Sequence, residues 1–129
     1  MNEEVIRAQG GKIIVLADDL AEIIVSEGVE VSAAMVDNCE RILRERFHCP
    51  CRVLISRQHS YHYTFEAQQR LADLQCVHSV AILSNSPSGE ITARIVRLFP
   101  GKGSWKVNFF ADRKSALAWL EERKASQQE

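Results

Sequence analysis

The first half of the chain combines two short β-branched runs with one longer amphipathic stretch. Residues 12–17 and 21–26 are rich in Ile and Val, and a mostly acidic connector, residues 18–20, separates them. Two such runs joined by turn-forming residues predict an antiparallel β-hairpin. Within residues 32–47 apolar side chains recur every three or four positions, which predicts an amphipathic helix with Ser32 as its N-cap.

The middle of the chain alternates between strand and helix patterns. Pro50 is expected to end the first helix, and residues 51–56 are typical of a strand. A second helix is predicted from Thr64 or Phe65 to residue 74. Its inward-facing side chains are expected to be Phe65, Leu71 and Leu74. Residues 77–83 are the clearest buried strand, because the run is typical of a strand covered on both faces.

The last third of the chain predicts a helix, a strand and a final helix. The helix pattern has its apolar positions within residues 91–99, with Pro87 in the first turn and Ser86 as the cap. The strand pattern covers residues 105–110, and Asp112 is placed to cap the final helix.

The order β-β-α-β-α-β-α-β-α predicts an α/β fold with one mixed, mostly parallel sheet packed with helices. All 129 residues are assigned to a single domain, since no linker or repeat divides the chain. Its ordered core is expected to span about residues 11–123. The polar ends, residues 1–10 and 125–129, are expected to fray.

Charge and composition narrow the function classes. The chain has 16 Lys and Arg against 17 Asp and Glu, for a net charge of −1. That balance excludes a strongly basic nucleic-acid binder and a polybasic membrane anchor as default interpretations. The first ten residues carry no apolar signal-peptide region, and no apolar run is long enough to span a membrane. A cytoplasmic protein is therefore the expectation.

The four cysteines are Cys39, Cys49, Cys51 and Cys76. Structural zinc sites usually use two Cys-x₂₋₄-Cys pairs, and this chain has a single Cys-x-Cys with no second pair. Cys39 lies on the apolar stripe of the first helix, and Cys51 opens a strand, so both fit small buried side chains. We therefore expect the thiols to be free, and we expect no metal site and no cofactor.

A polar aromatic stretch before the second helix is the richest candidate site. Its candidate residues for partner binding or phosphorylation are His59, Ser60, Tyr61, His62 and Thr64. Thr64 is also a natural N-cap, and a phosphate there would lie at a helix N-terminus, where negative charge is favoured. No Gly-x-Ser-x-Gly sequence sets up a nucleophile, so we expect no catalytic residue and no enzyme activity.

A second polar stretch follows the clearest buried strand. Its candidate residues for binding an anion or ligand are Ser84, Asn85, Ser86 and Ser88. A strand that leads into a helix start can present free amides to an anion. The stretch lacks the P-loop pattern, so capping of the following helix is the competing interpretation.

Three segments of the second half carry a family resemblance: residues 80–87 (VAILSNSP), 107–112 (VNFFAD) and 116–121 (ALAWLE). In element order the chain resembles the STAS fold of bacterial anti-sigma factor antagonists, the SpoIIAA-like superfamily. More closely, these segments resemble small uncharacterised bacterial proteins labelled STAS/SEC14-domain-containing. The resemblance covers about residues 11–123 and is carried mostly by structural motifs.

This resemblance implies a non-enzymatic regulatory or protein-interaction module, with an unknown protein partner or a homo-oligomer. The SEC14 label implies an alternative, a carrier or sensor of a small apolar ligand or lipid. A second alternative is a phospho-switch of the anti-sigma factor antagonist type. The Asp-Ser-x-Gly motif that carries the phosphoserine in those proteins is absent from residues 59–66, so no phosphoserine is transferred.

Overall fold

The computed structural model describes residues 4–57, 62–72, 74, 76–84 and 106–127. The strands are β1 (Glu4–Ala8), β2 (Gly11–Ala17), β3 (Leu20–Val25), β4 (Glu30–Val31), β5 (Cys51–Arg57), β6 (His62–Tyr63), β7 (Val77–Ser84) and β8 (Lys106–Phe110). The helices are α1 (Ala33–Arg46), α2 (Phe65–Ala72) and α3 (Arg113–Gln127).

Six strands form one mixed sheet in the order β1-β2-β3-β5-β7-β8. The pairs β1–β2 and β2–β3 are antiparallel, whereas β3–β5, β5–β7 and β7–β8 are parallel. The short strands β4 and β6 pair separately and in parallel. These pairings confirm the predicted α/β fold with its opening hairpin and mixed, mostly parallel sheet.

Helices pack on both faces of the sheet, and successive residues of a strand alternate between the faces. On one face, Leu43 and Phe47 of the α1 region pack with sheet residues such as Ile13 and Val53. On the other face, Leu120 of α3 packs with Leu54 and its neighbours. The central strands are therefore covered on both sides, as the apolar run over residues 77–83 predicts.

The N-terminal residues differ from the expectation that they fray. Glu4–Ala8 forms an edge strand, and Ile6 and Ala8 pack against the core from it. Glu4 also pairs with Arg46 at the end of α1. The sequence does not predict this strand, because the apolar alternation of Ile6 and Ala8 is short and lies among charged residues. At the other end α3 continues to Gln127, beyond the predicted start of fraying at residue 125.

Phe65 does not face inward as expected. It is the first residue of α2 and is 68 % exposed, whereas Ala67 of the same helix is fully buried. Leu74 is half-buried and packs with the neighbouring apolar cluster, as predicted. The predicted helix over residues 91–99 lies outside the described residues.

The caps that the sequence predicts for α1 and α3 are present. The Ser32 side chain accepts a hydrogen bond from the Met35 backbone amide at 3.3 Å. Asp112 accepts hydrogen bonds from the Ser115 amide at 2.8 Å and from its hydroxyl at 3.0 Å. These bonds hold the pKa of Asp112 below its usual value. The caps therefore begin α1 and α3 where expected.

Candidate functional site

An apolar cavity of about 100 Å³ lies between the sheet and α1. Its position follows from strand register: Ile13 of β2 is opposite Ile23 of β3, and Ile23 is opposite Ile55 of β5. These residues share one face of the sheet because side chains directly opposite each other on neighbouring strands point to the same side. They form a continuous aliphatic floor beneath α1.

Helix α1 and the segments beside it form the rest of the wall. Apolar side chains from α1 that line the cavity are Met35, Val36, Cys39 and Leu43. Tyr63 of β6 and Leu74 also reach it. The spacing of the α1 residues places them on one helix face, so the periodicity that predicts the helix also predicts an apolar surface here.

Polar residues are confined to one part of the lining. Gln9, Lys12 and Glu40 contribute to the wall, and Gln9 and Lys12 are exposed. The turn between β1 and β2 brings Gln9 and Gly10 to this side. Gly10 has φ of 77°, and a side chain added there would meet the Met35 sulfur at 3.1 Å. Glycine thus allows the turn to close against α1.

The opposite face of the sheet carries buried charge. Arg52 of β5 is fully buried between Leu20 of β3 and Ser79 of β7, its partners in register. Its guanidinium donates to Asp19 Oδ1 at 2.6 Å and to the Leu120 carbonyl at 2.9 Å. One buried side chain therefore connects the β2–β3 turn, the sheet and α3.

Two further polar groups lie on this face. Glu22 is buried, and its carboxylate accepts a hydrogen bond from Arg113 at 2.7 Å. The Ser79 hydroxyl lies 2.9 Å from His78 Nδ1 and accepts a hydrogen bond from Arg123 Nε at 3.1 Å. Because Ser79 is fully buried, its hydroxyl has no path to a substrate, and the arrangement attaches α3 to the sheet.

The environment of His78 makes stability depend on pH. Burial lowers the pKa of His78 from its ordinary value of 6.5, and the Arg52 and Arg123 charges lower it further, against a smaller opposing effect of Asp19. The unfolded chain then binds more protons than the folded chain at mildly acidic pH, so stability is full above the unfolded pKa and declines below it.

We expect the free energy of unfolding to fall between about pH 7.5 and pH 5.5 because of His78, and the His78→Gln variant to lose this part of the dependence. Urea unfolding at several pH values measures it. The exposed His48 supplies the control, His48→Gln. Identical pH profiles for the wild type and His78→Gln would contradict the expectation.

The candidate residues from the first polar stretch are only partly described. The Thr64 hydroxyl oxygen accepts a hydrogen bond from the Ala67 amide at 3.0 Å, which confirms its capping role. The His62 backbone belongs to β6 beside Glu30. His59, Ser60 and Tyr61 lie outside the described residues. Whether these residues bind a partner or accept a phosphate stays a prediction.

The second polar stretch is described at its first residue alone. The Ser84 backbone ends β7, opposite Arg57 of β5. Asn85, Ser86 and Ser88 lie outside the described residues, so the anion or ligand loop stays a prediction.

Residues that the sequence interpretation missed lie mostly on the α3 face. Glu22, Arg52 and Ser79 are buried polar residues on three neighbouring, mostly apolar strands. A polar residue in a buried strand is a signal in itself, because burying an unpaired charge is costly. Its partners come from distant parts of the chain, however, and local patterning does not identify them.

The part of the chain that the structure describes contains no group of three or more His, Cys, Asp or Glu side chains suited to hold a metal ion. None of its helices is long and apolar enough to cross a membrane.

The chain is similar in structure to solved proteins, whereas comparison by sequence finds none. No family model matches the chain, and no curated protein matches it in sequence. The chain is similar to the crystal structure of an uncharacterized DUF3478-family protein with a SpoIIAA-like fold from Shewanella loihica PV-4. The two share 17 % identity with a TM-score of 0.49, over 92 % of each chain.

Proposed function

We propose that this chain is a non-enzymatic STAS-like module that holds one small apolar ligand between its sheet and α1, as a carrier or sensor. The observation that carries the proposal is the apolar cavity of about 100 Å³. Close packing is the rule in protein interiors, where voids larger than a water molecule are few. An apolar space of this size therefore favours an apolar occupant over water.

The size of the cavity favours a small ligand over a lipid with two acyl chains. An engineered apolar cavity of about 150 Å³ in another protein accommodates benzene, whereas pockets for drug-sized ligands occupy about 300–1,000 Å³. A cavity of about 100 Å³ suits one small ring or a short branched chain. Because a ligand of this size has few atoms to contact the protein, we expect a dissociation constant on the order of 0.1–1 mM.

The α1 wall is suited to adapt to such a ligand. Met35 is flexible and polarizable, and it lies against Gly10 at the β1–β2 turn. A rotamer change of Met35 enlarges the space without displacing the sheet. The exposed Gln9 and Lys12 mark the side from which a ligand enters.

The Val36→Phe variant tests the proposal by filling the cavity. Val36 is buried on α1 and lines the space, so an added ring takes the place of the ligand. We expect benzene, used as the probe, to bind the wild type with the affinity above and to bind Val36→Phe at least about tenfold more weakly. Isothermal titration or ligand-observed NMR measures both.

The matched control is Leu117→Phe on α3. It also adds a ring to a helix residue, in this case a half-buried one on the opposite face of the sheet. We expect benzene to bind this variant as it binds the wild type. Equal binding to the wild type and Val36→Phe would place the probe outside the cavity and reject the proposal.

The protein-interaction module is the second candidate, and the exposed Phe65 favours it. Large apolar side chains that protrude beside a polar loop are frequent in binding surfaces. Phe65 follows Thr64 directly, at the end of the first polar stretch. A partner that binds here would contact both the aromatic ring and that stretch. The identity of the partner and the phospho-switch stay predictions.

A further inference from the structure

All four cysteines converge at one end of the sheet, although they are spread over 38 positions of the chain (from 39 to 76). Cys51 and Cys76 are buried in the same core cluster, and Cys39 and Cys49 pack against it. The Cys51 amide donates to the Cys76 carbonyl at 2.8 Å, which fixes the start of β5 beside the residue that precedes β7. The four thiols are free.

Cys49 packs against the core cluster that contains Cys51 and Cys76, and a single residue separates it from Cys51. Its thiol points at the Leu43 carbonyl, at 3.5 Å, and at the Phe47 carbonyl, at 3.8 Å. Cys49 is half-exposed, whereas Cys51 and Cys76 are buried. An oxidant from solution therefore reaches Cys49 before it reaches Cys51 or Cys76.

We infer that Cys49 and Cys76 form a reversible disulfide, which makes this cluster a thiol-oxidation site. Cys49 and Cys76 both lie in bends outside the regular elements, so their side chains can reorient to disulfide geometry. Cys51 is a poorer partner because it opens β5 and a single residue separates it from Cys49. A Cys49–Cys76 bond joins the end of the α1–β5 connection to the start of β7.

The chemistry balances with hydrogen peroxide as the oxidant. The Cys49 thiolate attacks one peroxide oxygen, the O–O bond breaks, and Cys49 becomes a sulfenic acid as water leaves. The Cys76 sulfur then attacks the Cys49 sulfur, the S–O bond breaks, and a second water leaves. Two thiols lose two electrons and two protons in total, and one peroxide becomes two waters. A dithiol reductant reverses the reaction by exchange.

The surroundings of Cys76 favour the oxidised form. Burial and the neighbouring Cys49 raise the pKa of the Cys76 thiol to about 11. A thiol with a raised pKa is a poor leaving group in exchange reactions, so a disulfide that contains it is slow to be reduced.

Peptide mapping tests this site on the full folded chain. The protein is treated with hydrogen peroxide, its remaining thiols are alkylated, and it is digested with trypsin. Cleavage after Arg46, Arg52, Arg70 and Arg94 places Cys49 and Cys51 on peptide 47–52 and Cys76 on peptide 71–94. We expect these peptides to be joined with the loss of two hydrogens, and to separate after dithiothreitol.

Serine variants identify the bonded pair. The link should persist in Cys51→Ser and Cys39→Ser and disappear in Cys49→Ser and Cys76→Ser. If a variant fails to fold, fragmentation of the wild-type peptide between Pro50 and Cys51 assigns the bond instead. Three results would each overturn the inference. They are a bond within peptide 47–52, a link that persists in Cys49→Ser, and oxidation to sulfinic acid without any link.

Discussion

Replacing Arg52 with Ala is expected to lower the free energy of unfolding by about 3–5 kcal/mol, because the change removes the buried cation that faces the mostly buried carboxylate of Asp19. Arg52 is fully buried, and the side chain of Asp19 is 16 % exposed. Their 2.6 Å contact is a charge-assisted hydrogen bond in a region with little water to replace it.

The loss has a second component in the packing of α3. Arg52 also donates to the Leu120 carbonyl at 2.9 Å and approaches Glu121 at 3.8 Å. Its aliphatic stem fills space beside Leu20 and Ser79. Truncation to Ala removes both the hydrogen bond to the Leu120 carbonyl of α3 and the volume that the aliphatic stem fills. Arg52→Met keeps much of the volume, so we expect it to be less destabilising than Arg52→Ala.

Urea unfolding of matched variants measures the effect. Arg44→Ala removes an exposed ion pair with Glu40 on α1 and is expected to cost at most about 0.5 kcal/mol. Adding Asp19→Asn to Arg52→Ala should recover part of the loss, because the carboxylate whose charge Arg52 balances is then absent. A loss below about 1 kcal/mol for Arg52→Ala would contradict the structural role given to this residue.

Truncating Leu43 to Ala is expected to lower the free energy of unfolding by about 2–5 kcal/mol. We also expect a small apolar ligand to raise the free energy of unfolding of this variant more than that of the wild type. Leu43 is 1 % exposed and lines the cavity on α1. Removing its side chain loses apolar burial and enlarges the existing space. A ligand that binds the folded state then restores stability according to its concentration relative to its dissociation constant.

Leu54→Ala is the matched control for this prediction. Leu54 is also fully buried, but it lies on the α3 face of β5, away from the cavity lining. Both variants should lose similar stability in buffer. With benzene at several times its dissociation constant, Leu43→Ala should regain more stability than Leu54→Ala. Equal recovery by the two variants would contradict the position assigned to the binding site.

The sequence predicts the regular elements well where the periodicity is long or strong. The opening hairpin, α1 and the strand at residues 77–83 all appear close to their expected positions. Strand β1 was missed because it is short and lies among charged residues, and β4 and β6 because each has two residues. Phe65 was placed wrongly because it is at the first position of α2, where the helical repeat has barely begun.

The candidate site was less predictable than the fold. Apolar periodicity indicates that Val36 and Leu43 face the sheet, but not that a gap remains between the packed surfaces. That gap depends on how side chains from distant elements meet. Arg52 and Asp19 are 33 positions apart, and Arg113 and Glu22 are 91 apart, so their pairing likewise follows from tertiary structure.

A titration of the wild-type protein with benzene, followed by methyl NMR, tests most directly whether a small apolar ligand binds between the sheet and α1. We expect saturable chemical-shift changes for methyl groups that line the cavity, those of Ile13, Val36 and Leu43, with a dissociation constant on the order of 0.1–1 mM. The methyl groups of Leu54 and Leu120 on the opposite face should remain unchanged. Shifts that do not saturate, or that are confined to Leu54 and Leu120, would contradict it.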